Sequence, residues 1–156
     1  MSLESLISDL KNGIGMVRVS AAAELGKIKD KGAEKALIEA LGDENMAVRN
    51  NAAFSLGELG THEAVPRLIA LFSDPEERVR KSAVKALGMI GAREAVAPLI
   101  QLLASDQSTI VKKSAIRSLG QIGGPQAMQA VEPFTVSPNV ILAAAAKQAI
   151  EKNSKQ

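Results

Sequence analysis

The stretch VRKSAVKALGMI, residues 79–90, decides the fold, because the chain repeats it. VRVSAAAELGKI starts at Val17, VRNNAAFSLGEL at Val48 and VKKSAIRSLGQI at Val111, so successive copies lie 31, 31 and 32 residues apart. A weaker copy, LAAAAKQAI, begins at Leu142. Between them runs a second series: SLISDL from Ser5, KALIEAL from Lys35, PRLIALF from Pro66, PLIQLL from Pro98 and the decayed QAVEPF from Gln129. Two patterns that alternate at a fixed period mark a repeat array, in which each unit buries its apolar face against its neighbours.

Both patterns have helical period. With the leading Val as position 0 and about 100° per residue, positions 0, 4, 8 and 11 fall within one arc of roughly 80°, and positions 2, 3, 6 and 10 lie opposite. In the second copy the first set is Val48, Ala52, Leu56 and Leu59, and the second is Asn50, Asn51, Phe54 and Glu58. Nothing alternates as a half-buried strand would. Asp74-Pro75-Glu76-Glu77 predicts an N-cap Asp with Pro at the first helical position, and Ser137-Pro138 repeats the arrangement. Gly60, Gly91 and Gly123 follow the VR-type helices, where a left-handed residue ends a helix. Gly57, Gly88 and Gly120 sit inside the last turn, and close approach by a neighbouring backbone is the expected compensation for their poor helix propensity. The repeats are expected at about 1–30, 31–60, 61–91, 92–123 and 124–152, with a tail at 153–156 and one extra residue inserted between Leu103 and Asp106. The opening helix, Ser2 to Asn12, predicts a soluble N-terminal cap. The Pro- and Ala-rich last repeat is either a degenerate cap or a contact surface.

Four copies of V-[RK]-x-x-A-x-x-x-L-G-x-[IL], each preceded by a helix of A-V-x-x-L-I type, resemble the HEAT repeat family in its short, phycobilisome-lyase-type subclass. The resemblance implies an all-α, right-handed α-α superhelix of five stacked antiparallel helix pairs, with the VR-type helices forming the inner, concave layer. It also implies a hydrogen-bonded ladder of turn Asp and helix Arg along the stack. On this chain that ladder falls on Asp43 with Arg49, Asp74 with Arg80 and Asp106 with Lys112. The first repeat departs, with Asn12 before Arg18, and the fifth loses both residues, with Ser137 before Ala143. A rigid five-donor fork suits a semi-buried tie better than phosphate capture, so the ladder reads as structural.

Composition narrows the chemistry. At 156 residues and 46% apolar content the chain is one packed domain, yet only three Phe and no Trp or Tyr supply aromatics. Without Cys there is no disulfide or thiolate ligand, and His62 alone makes no two-histidine metal site. No signal peptide and no run of about 20 apolar residues is seen, so a cytoplasmic protein without a membrane span is expected. Deoxyhypusine hydroxylases of similar repeats hold iron through His-Glu pairs just after the VR. Those slots here are Val19-Ser20, Asn50-Asn51, Lys81-Ser82 and Lys113-Ser114, and His62-Glu63 starts an outer helix. Phycobilin lyases share the scaffold, but the scaffold carries none of their chemistry by itself. HEAT-like DNA glycosylases need aromatic platforms that this chain lacks. No Walker-type loop occurs. No enzyme, no cofactor and no metal is therefore expected.

What remains is surface. The outward positions of the VR-type helices read Val19, Ser20, Ala23, Lys27; Asn50, Asn51, Phe54, Glu58; Lys81, Ser82, Lys85, Met89; and Lys113, Ser114, Arg117, Gln121. Five cations (Lys27, Lys81, Lys85, Lys113, Arg117) face one acid, Glu58, while Glu34, Glu39, Glu63 and Glu94 belong to the outer layer. A net charge of +2 thus conceals a basic groove, with Phe54 and Met89 as apolar anchors. The expected partner is another protein, with an acidic segment, held at Asn50, Phe54, Lys81, Lys85, Met89, Lys113, Arg117 and Gln121. Nucleic-acid backbone and a tetrapyrrole-bearing partner are the alternatives. A monomer, or a weak homo-oligomer through the last repeat, completes the expectation.

Overall fold

The computed structural model describes all residues, Met1–Gln156. Ten α-helices form five antiparallel pairs: α1 (Leu3–Asn12) with α2 (Gly15–Ile28), α3 (Glu34–Ala40) with α4 (Met46–Leu59), α5 (Val65–Ala70) with α6 (Glu77–Ile90), α7 (Val96–Ser105) with α8 (Thr109–Ile122), and α9 (Pro125–Val131) with α10 (Val140–Ser154). Short 3-10 turns introduce α3, α5 and α7. The even-numbered helices pack side by side in chain order, whereas the odd-numbered ones lean mainly on their own partners and touch one another far less. A layer packed more tightly than the one behind it bends the stack toward itself, so α2, α4, α6, α8 and α10 line the concave side.

That tight packing follows from residue size. A Cβ on Gly57 would lie 2.9 Å from the Ala86 Cα, and one on Gly120 would lie 2.8 Å from the Ala149 Cβ. Each glycine in the last turn of an inner helix faces a small, buried residue of the next inner helix, Ser55, Ala86, Ser118 or Ala149. The two serines are satisfied across the seam: Ser55 Oγ donates to the Ala22 carbonyl at 2.7 Å, and Ser118 Oγ to the Val84 carbonyl at 2.8 Å. Behind this seam, Leu25, Leu56, Leu87 and Leu119 of the inner layer meet Leu37, Leu68 and Leu99 of the outer one, all fully buried. Val48, Val79 and Val111 are equally buried, whereas Val17 and Ile28, in the repeat at the N-terminal end of the stack, are 38% and 44% exposed.

The helix starts differ from the sequence expectation. Asp74 does not cap α6; the helix begins at Glu77, and the Asp74 carboxylate instead accepts the Glu76 N–H at 2.9 Å in a short turn. Asp43 and Asp106 do the same for the Asn45 and Ser108 N–H groups. Ser137 Oγ does it for Asn139, which is the real cap of α10. The carboxylates are held back from capping because an arginine of the preceding repeat claims them. Gly60 and Gly91 end their helices with φ of +69° and +73°, as the sequence predicts. The extra residue before Asp106 is absorbed as regular helix: α7 runs unbroken to Ser105, where the shorter α5 tightens into a 3-10 turn at Leu71–Ser73.

Candidate functional site

The side chains that the sequence singles out form two separate systems. The first is the ladder. Arg18, Arg49 and Arg80 donate through Nε to the carboxylates of Asp43, Asp74 and Asp106 at 2.9, 2.8 and 2.8 Å, with Nη2 reaching the second oxygen of each. Their Nη1 groups donate to the carbonyls of Gly13, Asp43 and Asp74, each at 3.0 Å. Each arginine therefore ties its own turn to the turn of the next repeat. The Asp that stands six residues before an arginine gives it a carbonyl, and gives its carboxylate to the repeat before. Arg18 keeps its place without an Asp of its own because the Gly13 carbonyl suffices. Hydrogen bonds donated to Asp43 and Asp74 hold the guanidinium groups of Arg18 and Arg49 above their ordinary pKa. Burial alone would push the Asp106 carboxyl up. Hydrogen bonds from Arg80 and the Ser108 N–H, with the charges of Arg80 and Lys112, outweigh it and hold that carboxyl below its usual range.

Lys112 does not extend this ladder. It makes no side-chain hydrogen bond and contributes only its charge near Asp106. An ammonium lacks the two-pronged donor, and repeat five offers the Ser137 hydroxyl where a carboxylate would be required. With all three donor groups engaged at Arg18, Arg49 and Arg80, the ladder has no fork left for a phosphate.

The second system is the concave face, and its two halves differ. In the N-terminal half the charged groups are already paired. Lys27 bonds Glu24 at 2.6 Å and Glu58 bonds Lys29 at 3.2 Å. Asn50, half-buried, accepts from Ser82 Oγ at 2.6 Å, and Asn51 donates to the Val19 carbonyl at 3.0 Å. Phe54 is 41% exposed and carries the Lys85 ammonium 5.4 Å from its ring centroid, a cation–π contact between repeats two and three. Met89, half-buried, lies across Gly57, and the exposed Gln121 lies across Gly88. In the C-terminal half the cations are free. Lys81, Lys85, Lys113 and Arg117 make no ion pair, although Lys81, Lys85 and Arg117 are exposed and Lys113 is half-exposed.

The structure adds residues that the sequence reading passed over. Position −1 of the inner helix lies on the same arc as positions 6 and 10, and it places Arg78, Ile110 and Ile141 on this face. Carrying the register into repeat five adds Gln148 and Lys152. Arg117 sits where two open clefts meet: one lined with Lys113, Val140, Ile141 and Gln148, the other with Gln121, Ala149 and Lys152. The periodicity that found Phe54 would have found these by starting one residue earlier and running one repeat further. His62 is exposed in the 3-10 turn that leads into the outer helix α5, no group of His, Asp and Glu side chains is placed to hold a metal ion, and no helix is long and apolar enough to cross a membrane.

A family model for HEAT repeats matches residues 3–81 and again 65–151. Among solved structures, the complex of CpcE and CpcF of phycocyanin lyase from Nostoc sp. PCC7120 is similar at 30% identity and a TM-score of 0.87, over 100% of this chain and 66% of that one. A designed armadillo repeat protein in complex with the peptide (KR)4 gives 22% identity and a TM-score of 0.74, over 96% of this chain and 81% of that one. Human deoxyhypusine hydroxylase gives 17% identity and a TM-score of 0.61, over 98% of this chain and 74% of that one. No curated protein matches the sequence.

Proposed function

The chain belongs to the HEAT repeat family, and from that premise we propose that it is a non-catalytic, cytoplasmic interaction module that holds an acidic segment of a partner protein along its concave face. The observation that carries this reading is the set of unpaired cations Lys81, Lys85, Lys113 and Arg117 on one side of the stack, opposite a half whose charges are neutralised internally. The designed armadillo protein with a similar fold is in complex with a peptide, (KR)4; the free charges of this chain are positive, so the segment that complements them is acidic. Inner helices stand about 10 Å apart, so an extended chain rising about 3.3 Å per residue crosses from α4 to α10 in about nine residues. Fluorescence anisotropy with a labelled Asp/Glu-rich peptide of that length should show salt-sensitive binding that the variant Lys81→Glu with Lys85→Glu abolishes. A flat titration at low salt, or undiminished binding by that variant, refutes the reading. A labelled oligonucleotide that binds more tightly than the peptide would move the assignment to nucleic acid.

A second reading has its own support in the 30% identity to a component of the phycocyanin lyase complex. Under it the chain pairs with a second subunit and handles a tetrapyrrole-bearing partner. The chain spans 66% of the length of that neighbour. A shift in visible absorbance on mixing the protein with an open-chain tetrapyrrole would support this role, and an unchanged spectrum would remove it.

A further inference from the structure

The concave face ends in a place where charge and apolar surface meet. Ile110, Val140 and Ile141 are 50%, 79% and 48% exposed, more than a solvated helix start requires of large aliphatic residues. Val140 and Ile141 line one open cleft together with Lys113, Arg117 and Ala144, so two cations without carboxylate partners border an aliphatic strip with an alanine floor. Lys152 borders the adjoining cleft, which shares Arg117. Elsewhere on this face the one exposed large apolar side chain of the middle repeats, Phe54, already carries Lys85 over its ring. The α8–α10 end is therefore where both kinds of surface stand uncovered.

We propose that this end of the groove is a bipartite dock for a partner-protein segment in which carboxylates sit beside a large aliphatic side chain, with the acids on Lys113 and Arg117 and the aliphatic group on Val140 and Ile141. The proposal rests on the reading of the concave face as a protein-binding surface and gives that surface its specificity. Charge complementarity selects the acids, and the aliphatic strip selects a peptide over a phosphate backbone. A nucleic acid would leave Val140 and Ile141 uncovered, and the chain has no Trp or Tyr on which bases could stack. The clefts are open troughs rather than enclosed cavities, which suits a chain segment better than a small molecule.

The test uses the full chain and two labelled peptides of about nine residues, the length set by the helix spacing. Both are Asp/Glu-rich; one carries two Leu and the other Ser in their place. Wild type should prefer the Leu peptide by about tenfold. Ile141→Ser, a surface change whose folding is checked by far-UV circular dichroism, should erase the preference and leave the weaker charge-driven binding. Lys113→Gln with Arg117→Gln should weaken both peptides. Equal affinities in wild type, or a preference that survives Ile141→Ser, overturns the bipartite dock while leaving the acidic-segment reading intact. Failure of both peptides to bind wild type at low salt overturns that reading as well. If sedimentation shows a dimer that Ile141→Ser dissolves while both peptides bind equally, the strip belongs to a second copy and the proposal falls.

Discussion

Removing the Asp74 carboxylate tests the logic of the stack. In the folded chain the Arg49 side chain is 14% exposed and that of Asp74 is 5% exposed, and the pair makes two hydrogen bonds of 2.8 and 3.1 Å. Asp74→Asn keeps an oxygen for the Glu76 N–H but leaves the guanidinium without its counter-charge. Breaking a fully buried pair costs about 3–5 kcal/mol; the residual exposure of Arg49 reduces the expected loss to about 2–3 kcal/mol. For a chain of this size that corresponds to a fall in Tm of about 5–10 °C. Arg49→Met should cost a similar amount, and the double variant little more than either, so the cycle should return a coupling of about 2 kcal/mol, close to the cost of one single change. The chain has no Trp or Tyr, so far-UV circular dichroism in urea is the appropriate probe. The internal control is Lys11–Glu39, a pair at 3.9 Å with both side chains about half exposed; Glu39→Gln should stay within about 0.5 kcal/mol of wild type. If Asp74→Asn costs no more than Glu39→Gln, or the cycle shows no coupling, the ladder is ornament and the stack is held by its apolar core alone.

Gly57→Ala should destabilise by about 1–3 kcal/mol despite the better helix propensity of Ala, because its Cβ would meet the Ala86 Cα at 2.9 Å and prise α4 from α6; urea melts check this. The Asp106 carboxyl is held below its ordinary value in the folded chain, so it contributes stability above pH of about 4 that is lost as pH falls through the folded pKa. Asp106→Asn should lower stability at neutral pH and flatten that acid limb, seen as a shallower drop in Tm between neutral and acid buffers. Completing the missing rung with Lys112→Arg and Ser137→Asp should stabilise the junction of repeats four and five by about 1 kcal/mol beyond the sum of the single changes. Ser137 already makes the turn bond that the ladder carboxylates make, to the Asn139 N–H.

The repeat and its inner face were legible because a 31-residue period and a 3.6-residue period coincide in the sequence, and Leu56, Leu87 and Leu119 recur wherever both are in phase. The ladder was legible as residues and not as partners. A spacing of six inside each repeat says nothing of the neighbour whose arginine takes the carboxylate, since that contact spans 25 residues for Arg49 and 26 for Arg80. The same blind spot turned Asp74 into an expected N-cap: local sequence contains the turn and omits its competitor. On the concave face, charge counting located Lys81, Lys85, Lys113 and Arg117 but could not show that Glu58 and Lys27 were already paired, nor that Asn50 was tied to Ser82.

Under the proposed function, stability and recognition use different atoms of the same helices, and the register separates them. Position 1 carries the arginines into the turns, positions 0, 4 and 8 fill the core, and position 9 closes the seam, so positions −1, 2 and 6 are released from structural duty in repeats three to five. That release explains why the cations there are unpaired while the arginines at position 1, Arg18, Arg49 and Arg80, are fully engaged. It also makes the two systems independently testable. Lys85→Glu and Arg117→Glu should change binding without lowering Tm appreciably, because each is exposed and holds nothing buried. Asp74→Asn should do the reverse, since the groove floor it braces is set by four inter-repeat seams rather than by one. A variant set in which binding and Tm fell together would mean that the concave face is structural after all, and that the ligand lies elsewhere on the stack.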